Sequence, residues 1–177
     1  MLDHNPRSWF AVQVMPRHEK KVAAMLAYKG CTNFLPCRKV SNRWSDRTKV
    51  IEQPLFPNYV FCLVGNEEFR VVLDVPGVYR FVGFGGKPYP VADQEIHALQ
   101  KIAGSGLNAM PITSLKPGQK VRVVHGPLEG ITGELTQIKN QNCLVVSVQM
   151  IMRSVAVTME MWMVAKADDS AGIGQVN

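Results

Sequence analysis

Four cysteines and four histidines are the residues of this 177-residue chain best suited to hold a metal or to act as nucleophile and base. Their spacing supports neither use. Cys31, Cys37, Cys62 and Cys143 form no C-x-x-C pair, and His4, His18, His97 and His125 share no ligand spacing. The thiols therefore read as free cysteines of a reducing compartment. The sequence also lacks a nucleophile–base pairing, a paired-carboxylate pattern and a phosphate loop. It predicts neither an enzyme nor a metal or cofactor.

Recognition is the chemistry that the residue types do support. Arg38, Lys39, Arg43, Arg47 and Lys49 surround Trp44, with Asp46 alone opposing them. Such a run offers cations to phosphates and one ring to an unpaired base; a merely solvated basic face is an equal reading. Arg17, Lys20 and Lys21 add charge nearby. Residues 1–103 carry 14 Lys and Arg against 9 Asp and Glu, whereas residues 104–177 carry 6 against 5. Only the front half is expected to meet a polyanion.

A second group is PLFPNYVFC, residues 54–62. Two prolines fix φ and remove donors, and a β-branched and aromatic run follows. Phe56 and Tyr59 are thereby presented at a stiff corner.

The elements that position these groups follow from periodicity. WFAVQV (9–14) reads as a strand, 18–29 as a helix closed by Gly30, 33–40 as a strand, and 49–64 as containing the strand after PLFP. Residues 66–74 read as a short helix ended by Pro76-Gly77, 79–84 as a strand, and Gly85-Gly86 as a turn. Asp93 is expected to cap a helix with Ile96, Leu99 and Ile102 on its apolar face. An α+β domain with helices packed on an antiparallel sheet is predicted for 1–103. GSGLNAMPITS, 104–114, reads as a flexible linker. Four β-prone runs at 119–124, 131–138, 143–149 and 154–159 predict a small all-β, SH3-like barrel over 115–166, with 167–177 a disordered tail. The start MLDHNPRS lacks a leader pattern, and no apolar run approaches the ~18 residues of a membrane helix. A soluble, cytoplasmic protein without membrane contact is expected.

VRVVHGPLEGITGEL, 121–135, is punctuated by Gly126, Gly130 and Gly133, which suit tight corners and close backbone approach. With the Lys116-Pro117-Gly118 turn before it, this stretch resembles a KOW motif. PLFPNYVF resembles the signature of the N-terminal (NGN) domain in NusG-type transcription elongation factors, and WFAVQV and DVPGVYRFVGFGG match that domain in order and spacing. The resemblance spans nearly the whole chain.

What it implies is concrete. An apolar depression on the first domain would grip the clamp helices of RNA polymerase. Phe56 and Tyr59 would line it, and Ile96, Phe81 and Phe84 would help to form the same surface; a core role is the alternative for all five. The basic segment and Arg17 and Lys20 would lie near upstream and non-template DNA. The barrel would meet a small-subunit ribosomal protein or the terminator Rho through the run Met150-Ile151-Met152-Arg153, where Ile151, Met152 and Arg153 match an Ile-Phe-Gly-Arg loop in part. Asn58 stands where housekeeping members usually carry Gly. Both departures resemble the operon-specific RfaH-like paralogs, so the resemblance implies a monomeric, specialised processivity or antitermination factor. The alternatives are a housekeeping NusG, or a KOW-bearing RNA-binding or ribosome-associated protein, which leaves PLFPNYVF unexplained. RfaH-like relatives can hold the second domain as a helical hairpin over the polymerase site. The valine-rich alternating runs here predict a β-barrel instead, and hence an open groove around Phe56 and Tyr59.

Overall fold

A computed structural model describes residues 6–43, 48–112 and 118–167. The expectations for Trp44, Asp46, Arg47, Lys116, Pro117 and most of the tail lie outside the described residues.

The first domain runs β1 (Ser8–Val14), α1 (Glu19–Tyr28), β2 (Thr32–Phe34), β3 (Cys37–Arg43), β4 (Thr48–Pro54), β5 (Tyr59–Val64), α2 (Phe69–Leu73), β6 (Val78–Phe81), β7 (Gly83–Phe84), β8 (Lys87–Pro88), β9 (Pro90–Val91) and α3 (Asp93–Gly104). Its sheet has the order β2-β5-β1-β6, with β9 beside β1, and every pairing is antiparallel. β3 with β4 and β7 with β8 form separate two-stranded ribbons. The expected strand 33–40 is broken at Leu35-Pro36, where proline cannot continue a ladder. Gly30 closes the turn after α1 at φ 78°. Asp93 is the first helical residue of α3, and the flanking cap position is Ala92 in extended geometry without a side-chain bond. The carboxylate therefore acts on the helix dipole rather than as a cap.

Strand alternation splits this domain into two cores. Phe10, Val12 and Val14 of β1 and Val60, Cys62 and Val64 of β5 pack with Val22 and Leu26 of α1 and Val72 of α2. On the opposite face, Trp9, Ala11, Tyr59 and Phe61 join Leu55, Phe56, Val91, Ile96, Leu99 and Ile102. A sheet covered on both faces needs apolar residues at both parities, hence the unbroken apolar run at Val60–Val64.

The second domain is all β: β10 (Ala109–Ile112), β11 (Gln119–Val123), β12 (Thr132–Ile138), β13 (Gln141–Val148), β14 (Arg153–Thr158) and β15 (Val164–Lys166). They form one six-stranded antiparallel sheet in the order β10-β14-β13-β12-β11-β15. The stretch expected as linker thus contributes an edge strand, β10, and connects freely only over 105–108. Gly126 and Gly130 adopt φ 93° and 87°. A Cβ on Gly133 would come within 2.6 Å of the Val145 carbonyl oxygen, so each glycine of the KOW-like stretch answers a local steric demand.

The two domains share a core. Phe56, Ile96, Leu99 and Ile102 belong to the same continuous buried cluster as Leu144, Val146, Val148 and Ile151. Polar contacts from α3 flank it. Lys101 Nζ donates to the Glu129 carbonyl oxygen at 2.7 Å, and the Gln149 N–H donates to Glu95 Oε1 at 3.3 Å. A β second domain was expected to leave the groove open. It packs on α3, with Phe56 buried and Tyr59 half-buried on the same side of the sheet.

Candidate functional site

The corner after PLFP is built by local backbone chemistry. Asn58 sits in the left-handed region at φ 72°, where asparagine and glycine are the residues of lowest cost. Its N–H donates to Glu19 Oε1 at 2.9 Å, and its carbonyl accepts the Val14 N–H at 2.8 Å. Glu19 is buried, so α1 contributes a carboxylate whose partner is this turn. The Tyr59 N–H closes the turn on the Phe56 carbonyl oxygen at 3.2 Å.

Phe56 is 2% exposed and meets Phe61 edge-on at 6.0 Å between ring centroids; Phe34 lies 6.4 Å from Phe61. Tyr59, half-buried, stands opposite Gln13 on the same face of the sheet. Ile96 is buried on α3 above that face. Phe56, Tyr59 and Ile96 are therefore brought to one side of the sheet, Phe56 and Ile96 as core residues and Tyr59 half-buried.

Phe81 is not. Its register opposite Val12 turns it to the other face, where it packs on Phe69 at 4.6 Å and Phe10 at 5.9 Å. The alternation that buries Val12 under α1 buries Phe81 with it. Phe84 stands exposed on the β7–β8 ribbon beside Tyr89, 5.9 Å away.

The basic residues do not form one patch. In the β3–β4 ribbon, Arg38 lies opposite Gln53, Lys39 opposite Glu52, Asn42 opposite Lys49, and Arg43 opposite Thr48. Residues directly opposite share a face, so Arg38 and Lys49 occupy one face of the ribbon, and Lys39 the other. Glu52 adds an opposing charge beside Lys39 that the local sequence window did not include. Arg38 is half-buried, and its Nε has no hydrogen-bond partner among the described residues. Lys39, Lys49, Arg17 and Lys20 are exposed, and Arg17 holds φ 64° just before α1.

The expected barrel tip divides too. Ile151 is buried in the shared cluster, whereas Met152 is 86% exposed and Arg153 is exposed at the start of β14. Met152 occupies the left-handed region at φ 49°, ψ 45°, which costs a non-glycine residue roughly 1 kcal/mol. A glycine would be the relaxed choice there.

Sequence reasoning missed Glu19, Glu95, Lys101 and Glu129. Glu19 opens an amphipathic helix and carried no mark of its buried partner. Burial pushes the Glu95 carboxyl above its ordinary range, and the bond from Gln149 pulls against that. Burial likewise pushes the Cys62 thiol up to about 12, which keeps it protonated and unreactive.

Residues 7–100, more than half of the chain, match the family model described as transcription termination factor nusG. The chain is 31% identical over 154 residues to a transcription termination/antitermination protein NusG of Streptococcus pyogenes serotype M3, covering 79% of this chain and 86% of that one. It belongs to the NusG family. The NusG of Thermus thermophilus is 29% identical over 180 residues, covering 90% of this chain and 98% of its own. Among solved structures, one titled "Domain interaction in Thermotoga maritima NusG" superposes with a TM-score of 0.54 at 26% identity, covering 92% of this chain and 98% of that one. NusG-family members are transcription factors, so the chain is not an enzyme. Among the described residues no helix is long and apolar enough to cross a membrane.

Proposed function

We propose that this NusG-family chain is a bacterial transcription elongation regulator that docks on the clamp helices of RNA polymerase through the face around Phe56, Tyr59 and Ile96. The arrangement described above is then its masked state. One observation carries this reading: Phe56 and Ile96 lie in the same buried cluster as Val148 and Ile151 of the second domain. A helix laid into an aromatic groove is a familiar recognition mode, and stiff aromatic anchors serve it because little entropy is lost on docking. Phe56 and Ile96 are buried and Tyr59 is half-buried here, so in this reading docking requires the second domain to move away from α3. Phe81 belongs to the other core and has no part in this face; Phe84 lies outside it on the exposed ribbon.

Within that reading, the β3–β4 ribbon, with cations on both faces, together with Arg17 and Lys20 contacts upstream or non-template DNA. Met152 and Arg153 present the exposed part of the barrel's own partner site, which in this family reading would serve a small-subunit ribosomal protein or Rho. The protein acts as a cytoplasmic monomer.

The specialised, operon-specific assignment rests on Met152 rather than on Asn58. Asparagine and glycine are near-equivalents at φ 72°, so Asn58 carries no functional information. A methionine held exposed at φ 49° in place of glycine is a departure that stability does not explain. The second reading, a general factor, is favoured by the Thermus relative, matched over 98% of its length.

Retention of RNA polymerase by the immobilised full-length chain tests the docking proposal. Opening the interface with Glu95→Ala and Lys101→Ala is expected to raise retention, and adding Tyr59→Ala to abolish the gain. Retention indifferent to all three substitutions rejects it. Chromatin occupancy confined to a few transcription units supports the specialist, and occupancy of most transcribed genes the general factor.

A further inference from the structure

The second domain carries an exposed aromatic platform that the polymerase-docking reading leaves unused. Trp162 is 66% exposed, Met161 55% and Val124 36%. The Trp162 and His125 ring centroids are 6.0 Å apart at an interplanar angle of 37°. The backbone fixes this group, because the Val124 N–H donates to the Met163 carbonyl oxygen at 2.8 Å. An exposed tryptophan is the informative kind of surface residue, since burial would have stabilised it strongly.

A row of cations leads up to the platform. Along β11 and the residue after it, Lys120, Arg122 and Val124 are exposed in alternation with buried Val121 and Val123. The two cations therefore follow one another at about 6.6 Å, and Val124 and the Trp162–His125 pair come next. Arg122 lies between Ala165 and Thr132 on the neighbouring strands. Among the described residues neither Lys120 nor Arg122 has a salt-bridge partner. Glu134 stands opposite Lys120, but its carboxylate accepts the Gly118 N–H; Glu160 precedes Met161.

We propose that this surface binds single-stranded nucleic acid, with an unpaired base stacked on Trp162 and neighbouring phosphates held by Arg122 and Lys120. Every base has a π-face, so stacking tolerates any sequence, and cations beside a ring place the backbone. A protein partner of matching chemistry would have to be acidic and would gain less from an isolated flat ring flanked by a line of cations. Trp162, Met161 and Val124 are exposed with the two domains packed together, so the platform is open in this arrangement. Contact with nucleic acid can thus precede docking.

The test uses the full-length chain with Lys39→Gln, Arg43→Gln and Lys49→Gln, which removes ribbon contributions to binding. The probes are a dodecamer of oligouridylate carrying 5-bromouridine, the corresponding oligodeoxythymidylate carrying 5-bromodeoxyuridine, and a duplex of equal length. Ultraviolet crosslinking is expected to place the adduct on Trp162, with the duplex giving none. Trp162→Ala is expected to weaken binding about tenfold and Trp162→Phe to restore most of it. Arg122→Gln should lower the slope of log affinity against log salt by about 0.7. Tighter binding of the first or second probe assigns RNA or DNA as the strand. Affinity unchanged in Trp162→Ala, adducts that map elsewhere, or protection of Trp162 from oxidation by poly-glutamate but by neither oligonucleotide overturns the proposal.

Discussion

The backbone N–H of Asn58 and the carboxylate of Glu19 meet at 2.9 Å, and the bond joins the first turn of α1 to the corner that presents Tyr59. Glu19 is 6% exposed and Asn58 part-buried, so loss of the carboxylate leaves a part-buried donor without its partner. Such a donor costs about 1–3 kcal/mol. Glu19→Ala is accordingly expected to lower chemical-denaturation stability by that amount. Asn58→Gly should be close to neutral and Asn58→Ala destabilising by about 1 kcal/mol. Equal stability of all three variants would show that the corner does not depend on this bond.

Phe56 and Tyr59 are expected to separate in mutagenesis, although the sequence presents them as a pair. Phe56 is fully buried, and truncating such a ring costs roughly 3–5 kcal/mol of stability. Phe56→Ala will therefore fail to bind polymerase for the uninformative reason that the domain is damaged. Tyr59→Ala, at a half-buried position, is expected to keep the melting temperature within a few degrees while polymerase retention falls at least tenfold in the opened Glu95→Ala, Lys101→Ala background. Thermal unfolding measured beside retention separates the two effects.

Closure is expected to weaken as pH rises. The Glu95 carboxyl is held above its reference value of 4.5, first by desolvation, against the opposing bond from Gln149. The closed state then binds more protons than the open state in the interval above 4.5, and its stability falls as pH increases through that interval. Glu95→Gln keeps an amide oxygen for the Gln149 N–H and carries no charge. It should be more closed than the natural chain at neutral pH, and the difference should vanish in acid. Backbone amide shifts of residues 149–151 recorded across pH report this directly; a larger difference in acid would reverse the assignment.

Met152→Gly is expected to stabilise the second domain by roughly 0.5–1 kcal/mol, because glycine adopts φ 49° without the Cβ penalty. The same substitution should weaken whatever partner uses the exposed methionine. Differential scanning calorimetry gives the first quantity, and capture of ribosomal small subunits or Rho, compared between the two forms, gives the second.

The sequence made the sheet strands legible where alternation or an unbroken apolar run is strong, as in Val60–Val64 and Val121–Val123. It hid β10, because Pro111 within AMPI reads as a breaker. An edge strand tolerates proline, since one side of its ladder is unpaired. Phe81 shows a different limit: strand periodicity finds the aromatic, but which core receives it depends on its register with Val12. The interdomain bonds Lys101–Glu129 and Glu95–Gln149 join residues 28 and 54 positions apart, and no local pattern marks them.

The brevity of the connection between Gly104 of α3 and Ala109 of β10 sets how the two halves behave once separated. Five Cα steps reach at most about 18 Å, so the barrel, once released from α3, remains close to the surface it left. A tether this short keeps the detached domain at an effective concentration in the millimolar range or above. Re-docking is then intramolecular and independent of how much protein the cell contains. Under the docking proposal, any polymerase helix that holds the Tyr59 face open competes against that fixed local concentration, and dilution gives it no help. On that proposal the chain is expected to reset by itself when a polymerase lets go, unless β10 peels from β14 and lengthens the leash.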